Sequence, residues 1–176
     1  MSLIEFIKNT TDKKKRKVYI FLLAFAVVLN IIENIIPKPV PWFRIGLTKI
    51  ALIIVVYSFE FKYILLFPVL RAIVGFSITG LLFTPVFIWS LSGSIVSAVV
   101  MYIIVHTGLN KFFSIYGVSI SGAVFHSLTQ WLLIIYFFNL NFSVILPAVL
   151  GLAVISGLIT AYIADAVIRY RDGGSF

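Results

Sequence analysis

Cysteine is absent from this 176-residue chain, and charged residues are scarce at 11% of the total. Without cysteine the chain has no disulfide, no thiolate metal site and no cysteine nucleophile. The small charged fraction stands beside 61% hydrophobic residues and a mean hydropathy of +1.13. These values exclude an ordinary soluble domain and predict an integral membrane protein.

Motifs of several enzyme classes are also missing. No Gly-x-x-x-x-Gly-Lys phosphate loop occurs, so we do not expect the chain to hydrolyse ATP itself. No aspartate-rich motif for a diphosphate–magnesium complex is present, and His106 and His126 are too far apart for a metal-ligand spacing. We therefore expect no enzymatic activity, no metal site and no cofactor in this chain.

The hydrophobic residues form long continuous runs, which favours helices over the alternating strands of a membrane barrel. The expected fold class is an all-α membrane protein, a compact bundle of six transmembrane helices. A basic segment (1–17) would precede the six-helix domain (18–168), and a short tail (169–176) would follow it. The predicted spans are residues 18–32, 44–59, 61–82, 85–106, 116–138 and 143–168.

Positive charge sets the expected orientation, because loops rich in Lys and Arg stay in the cytoplasm. An even number of spans places both termini on one side of the membrane. Three basic residues would then lie outside, namely Lys38, Arg44 and Lys49. Ten would lie inside: Lys8, Lys13, Lys14, Lys15, Arg16, Lys17, Lys62, Lys111, Arg169 and Arg171. We therefore expect a multi-pass protein of the cell membrane with both termini cytoplasmic.

The net charge of +8 invites a nucleic-acid interpretation. Retention of the basic residues on the cytoplasmic side, together with attraction to anionic lipid, explains the same charge in a membrane protein. We therefore expect the lipid bilayer, and no nucleic acid, to be the partner of these residues.

A proline-rich hairpin (33–49) joins the first two spans. Pro37, Pro39 and Pro41 prevent a helix or a central strand from running through it. Counted from the predicted helix ends, polar residues of the hairpin and of the second, third and fifth spans fall in the outer half of the bilayer. The candidate ligand-binding residues are Glu33, Asn34, Trp42, Arg44, Lys49, Arg71, His126 and Gln130.

A charge at the bilayer centre costs at least ~2.5–3.5 kcal/mol, so these groups should face the bundle interior. A structural role is the alternative: Glu33 could pair with Lys49 or Arg71 and tie helices together. Small residues have a structural interpretation too, since they allow helices to pack closely. The small residues in question are Ser90, Ser92, Gly93, Ser94, Ser97, Gly151 and Gly157.

The charge of the candidate site indicates its ligand. Arg44, Lys49 and Arg71 outnumber the one carboxylate, Glu33, which favours an anionic ligand. Tryptophans, among them Trp42, supply apolar or stacking surface. The expected ligand is a small anionic amphipathic molecule resembling a vitamin, a flavin, a quinone precursor or an isoprenoid.

Spaced motifs run in order along residues 20–165. They are Glu33-x-x-x-Pro37-x-Pro39-x-Pro41, Gly46-Leu47, Arg71-x-x-x-Gly75, Ser90-Leu91-x-Gly93, Ser97-x-x-x-Met101 and Gly117-Val118-Ser119-Ile120-x-Gly122-Ala123-x-x-His126-x-x-x-Gln130. This pattern resembles the Gx transporter family, whose members are often labelled heptaprenyl diphosphate synthase component I. That family is similar to the S components, the substrate-binding membrane subunits of energy-coupling factor (ECF) uptake transporters.

The resemblance implies partners and a mechanism. A transmembrane coupling subunit and two cytoplasmic ATPases would use ATP to drive reorientation of the ligand-loaded subunit. The chain departs from the family at Thr48 and Lys49, where a small residue and Asn are usual. The Ala-x-x-x-Ala docking face of S components is reduced here to Ala24 and Ala26, each followed four residues later by a different residue.

The expected function is therefore that of a transport subunit that binds its ligand from outside. Two alternatives remain open. The chain could be a membrane accessory protein of isoprenoid or menaquinone biosynthesis, or it could serve a membrane electron-transfer or flavinylation system.

Overall fold

The chain is all-helical in the computed structural model, which describes residues 3–8, 10–35, 46–138, 144 and 146–170. The helices are α1 (Leu3–Lys8), α2 (Asp12–Ile35), α3 (Lys49–Ser58), α4 (Phe61–Ile78), α5 (Pro85–His106), α6 (Ile115–Phe138) and α7 (Leu146–Tyr170). A 3-10 turn at Leu109–Lys111 lies between α5 and α6. No strand occurs within the described ranges, and the expected all-α class is confirmed.

Some charged side chains lie inside the bundle, and many large apolar side chains lie on its outer surface. Glu33 is 1% exposed and Arg71 3%, whereas Phe21 is 70% exposed and Tyr162 64%. Apolar surface of this extent is rare on soluble monomers. Among the described residues α4, α5, α6 and α7 are long and apolar enough to cross a bilayer, which fits a multi-pass membrane protein.

The central helix is α3, which contacts α2, α4, α5 and α7. Nine of its ten residues are buried, as expected for a helix that is apolar on all sides. At ~1.5 Å per residue α3 is about 15 Å long, half of the ~30 Å hydrocarbon core. The second predicted span (44–59) is corrected accordingly, because α3 begins only at Lys49.

The N-terminal segment is more ordered than the sequence indicated. Helix α2 begins at Asp12, six residues before the predicted span, because Lys and Arg are good helix formers and an acidic residue favours the first turn. The short helix α1 packs against α2, α3 and α7. Its Ile7 is 1% exposed and belongs to the hydrophobic core. Residues 3–8 are therefore part of the bundle.

The turn between α4 and α5 sets the ends of both helices. Helix α4 ends at Ile78, before the predicted residue 82, because Gly80 adopts a φ of 69° that a right-handed helix does not allow. Helix α5 covers the predicted 85–106, with Pro85 in its first turn. Thr84 precedes it, and its side-chain oxygen accepts a hydrogen bond from the Phe87 N–H.

Helices α6 and α7 approach each other closely at Gly157. A Cβ atom on Gly157 would lie 2.8 Å from the Cα of Ile120, so only glycine fits there. Ser119 Oγ donates a 2.8 Å hydrogen bond to the Gly157 carbonyl and lies 2.9 Å from Thr160 Oγ1. Gly157 thus has the packing role predicted for it, whereas a Cβ on Gly151 would meet no atom within 4 Å.

Candidate ligand-binding site

Four of the predicted site residues line one cavity inside the bundle. They come from four helices: Glu33 from α2, Lys49 from α3, Arg71 from α4 and His126 from α6. The cavity has a volume of about 20 Å³, somewhat more than the ~10–15 Å³ that one water molecule requires. The described residues therefore leave space for one small group, such as a water molecule or the polar end of a larger ligand.

The carboxylate of Glu33 anchors the start of α3. Its Oε1 atom accepts hydrogen bonds from the backbone N–H groups of Gly46 and Leu47, the latter at 3.0 Å. These amides precede α3, and a negative charge near a helix N-terminus is favourable. Gly46 has a φ of 84°, which glycine adopts without strain. Glu33 therefore stabilises the turn that brings Lys49 to the cavity.

Arg71 connects α4 to two neighbouring elements. Its Nη1 donates to Thr48 Oγ1 at 3.3 Å, and its Nη2 donates to Ser94 Oγ of α5 at 2.7 Å. The guanidinium is held from two sides in the buried interior, where a charge requires hydrogen-bond partners. Pro68 lies one turn earlier in α4 and also lines the cavity, and its ring removes one backbone hydrogen bond of the helix.

Lys49 is the first residue of α3 and is 6% exposed. It interacts electrostatically with both Glu33 and Arg71. Its Nζ atom would lie 3.2 Å from a Cβ added to Gly46, so the ammonium group sits against the anchored turn. With His126 neutral, the described ionisable residues of the cavity carry two positive charges and one negative charge, a net charge of +1.

His126 packs against α5 through Gly93. A Cβ atom on Gly93 would lie 2.9 Å from His126 Nδ1, so glycine allows the imidazole to reach the cavity wall. Gln130 follows one turn later on the same face of α6 and is 5% exposed. The cavity wall includes His126 and does not include Gln130.

A serine face of α5 contributes the polar wall that the sequence interpretation assigned to helix packing alone. Ser90, Ser94 and Ser97 line the cavity and are at most 8% exposed. Their i, i+4, i+7 spacing puts them on one helix face. The spacing is visible in the sequence, but the sequence does not show that this face of α5 lies beside Arg71.

The remaining candidates divide into two groups. Trp42, Arg44 and the side chain of Asn34 lie outside the described residues. The two alanines proposed for partner docking lie on different sides of α2, since Ala24 is exposed and Ala26 is fully buried. An outward docking face on α2 would therefore include Ala24 and not Ala26.

Comparison with known proteins identifies a family. The family model described as heptaprenyl diphosphate synthase component I covers residues 22–167, which is most of the chain. No curated protein and no solved structure gives a significant match.

Proposed function

We propose that this chain, which belongs to the heptaprenyl diphosphate synthase component I family, is the substrate-binding membrane subunit of an ATP-driven ECF-type uptake transporter. The observation that carries the proposal is the convergence of Glu33, Lys49, Arg71 and His126 on one cavity inside an apolar bundle. Ionisable residues within membrane segments are costly, and they commonly mark ligand or ion pathways.

In this proposal the chain captures its ligand on the outer side and transfers it inward with its partners. A transmembrane coupling subunit would contact the bundle, and two cytoplasmic ATPases would supply the energy from ATP. The chain itself would bind and release the ligand without catalysing a reaction. Both termini would be cytoplasmic, as the distribution of basic residues predicts.

The ligand proposed is anionic and amphipathic. The net charge of +1 among the described cavity residues favours an anion, and the predicted site residue Arg44 would add to it. A space of about 20 Å³ accommodates only the polar end of a vitamin-, flavin-, quinone-precursor- or isoprenoid-like molecule. The apolar body would lie beyond the wall formed by the described residues, and its entry would require helices at the cavity to separate.

The family name favours a second candidate function. A protein called component I of heptaprenyl diphosphate synthase would partner a second synthase component, acting as a membrane accessory in isoprenoid or menaquinone biosynthesis. Under that proposal the cavity would hold the diphosphate or carboxylate end of a prenyl intermediate. A role in membrane electron transfer or flavinylation would use the same cavity for a flavin.

Affinity purification from the native membrane separates these functions. The tagged full-length chain is solubilised in mild detergent, and co-purifying proteins and small molecules are identified by mass spectrometry. Recovery of ATPases and a coupling subunit is expected under the transport proposal. Recovery of a soluble prenyl synthase without ATPases, or turnover of prenyl diphosphates by the purified chain, would contradict that proposal and support the second function.

Membrane-embedded Arg71→Ala and Lys62→Ala chains provide a matched control pair for this purification. Lys62 is an exposed cation at the start of α4, so its removal leaves the cavity intact. We expect Arg71→Ala to retain the protein partners and to lose the co-purifying small molecule, while Lys62→Ala retains both. Loss of the protein partners in Arg71→Ala would instead assign the buried charge to the stability of the bundle.

A further inference from the structure

Three described helical serines have a buried hydroxyl without a hydrogen bond: Ser90 and Ser97 on α5, which line the cavity, and Ser58 at the end of α3, which does not. A serine or threonine hydroxyl in a helix can donate to the carbonyl one turn earlier. Thr129 of α6 and Thr160 of α7 do so, at 2.8 and 2.9 Å. Ser90 Oγ and Ser97 Oγ are buried and make no hydrogen bond with any described residue.

Both serines line the cavity that contains Arg71. They are 0% exposed, so bulk water does not satisfy their hydroxyls. A buried polar group without a hydrogen bond is costly, so it calls for a partner such as an ordered water or a ligand. Ser94 lies between them on the same face and differs from them, because its Oγ accepts a hydrogen bond from Arg71.

We infer that Ser90 and Ser97 are ligand-binding residues whose hydroxyls donate hydrogen bonds to an oxyanion, a carboxylate or a phosphate, held in the cavity. Arg71 and Lys49 supply the positive charge that such a group requires, and Glu33 Oε1 is already occupied by two backbone amides. The inference rests on the proposed ligand-binding function and deepens it. It specifies that the cavity binds the oxyanion of the ligand and that α5 supplies the hydroxyl donors.

The cavity size supports recognition of an end group. A volume of about 20 Å³ suits a carboxylate oxygen or a water-sized group, and a phosphate would need the surrounding side chains to move outward. The two serine hydroxyls and the Arg71 guanidinium all belong to the cavity wall, so together they would supply both hydrogen-bond donors and positive charge to such a group. A neutral alcohol of the same length would gain neither the charge nor the additional acceptor.

The test uses the full chain in lipid nanodiscs and three probes of six carbon atoms each: hexanoate, hexyl phosphate and hexanol. Binding is measured as the concentration-dependent rise in melting temperature that a ligand of the folded state produces. For the unaltered protein we expect a rise with at least one oxyanion and none with hexanol. Comparing the rise in melting temperature with hexanoate and with hexyl phosphate then shows whether the cavity binds a carboxylate or a phosphate.

The variants are Ser90→Ala, Ser97→Ala and their double variant, with Ser92→Ala as the matched control. Ser92 lies on α5 but is not part of the cavity wall. Each lost hydroxyl should weaken oxyanion binding about 10- to 150-fold, the range of one hydrogen bond to a charged group. The melting temperature without probe should stay the same or rise, because a buried hydroxyl lacking a partner is removed. Ser92→Ala should bind as the unaltered protein does.

Three outcomes would count against the inference in distinguishable ways. If the double variant keeps full oxyanion affinity while Arg71→Ala loses it, the serine assignment is wrong and the anion site of the proposed function stands. If the unaltered protein responds to neither oxyanion, the anionic ligand and the serine assignment both fail. A lower melting temperature of the double variant without probe, beyond that of Ser92→Ala, would also count against it, since the hydroxyls would then be bonded within the protein.

Discussion

Glu33 offers the clearest test of how the cavity is built. The structure assigns its carboxylate to the backbone amides of Gly46 and Leu47, at 1% exposure. We predict that Glu33→Ala lowers the stability of the bundle, because it leaves both amide donors buried without their acceptor. An unsatisfied buried donor costs about 1–3 kcal/mol, so two donors give a loss of about 2–6 kcal/mol.

Glu33→Gln separates the hydrogen bonds from the charge. The amide oxygen of glutamine can still accept from the two N–H groups, but a hydrogen bond to a neutral group contributes about 1 kcal/mol less than one to a charged group. The expected loss is therefore about 1–3 kcal/mol, smaller than for alanine. Glu60→Ala is the matched control, because Glu60 is exposed and its side chain makes no capping bond to α4, so a change within ~0.5 kcal/mol is expected.

The assay is thermal unfolding of each purified variant in lipid nanodiscs, followed by far-ultraviolet circular dichroism, with ligand or probe binding measured in parallel. The expected order of stability is unaltered protein and Glu60→Ala first, then Glu33→Gln, then Glu33→Ala. Equal stability of Glu33→Ala and Glu60→Ala, together with a loss of binding only in Glu33→Ala, would refute the anchoring role. Glu33 would then be a ligand contact alone.

Further predictions concern the backbone, the helix interface, the arginine and the topology. Gly46→Ala should cost more stability than Gly108→Ala, because both glycines have a φ of 84° but only the Cβ at 46 would meet other atoms within 4 Å; equal losses by thermal unfolding would contradict this. Gly157→Ala should destabilise the contact of α6 with α7, while Gly151→Ala, with open space, should stabilise α7 by up to ~1 kcal/mol in the same assay. Arg71→Ala should weaken binding of an anionic probe about 10- to 150-fold, the value of one charged hydrogen bond, measured by titration; an unchanged affinity would make Arg71 purely structural. Reporter fusions should place both termini in the cytoplasm, and an external signal from either one would refute the sidedness.

Much of the architecture follows from local properties of the chain. Continuous apolar runs predicted the ends of α5 and α6 to within a few residues. Those ends depend on Pro85 and on the lengths of the runs, which the sequence shows directly. The error at the second span has a physical cause. Residues 44–59 are compatible with a helix by hydropathy, and the positive φ of Gly46 and the anchoring by Glu33 are tertiary features.

Some of the residues that line the cavity could likewise be predicted from local properties of the chain. Glu33, Lys49, Arg71 and His126 stand out because a charge or an imidazole in an apolar segment must find polar surroundings. Ser90 and Ser97 do not stand out, since serine in a membrane helix ordinarily bonds its own backbone. Their missing backbone bonds become visible only in the folded chain.

The sequence by itself determined that this is an all-α membrane protein with charges that have to face inward, because hydropathy and the cost of burying a charge are properties of single residues and short segments. The tertiary structure alone decided which face of each helix is inward. Lipid and protein core are both apolar, so a helix that is apolar on all sides carries no sequence signal for its orientation. The position of α3 at the centre, the Glu33 anchor and the serine wall beside Arg71 depend on contacts between helices distant in the chain.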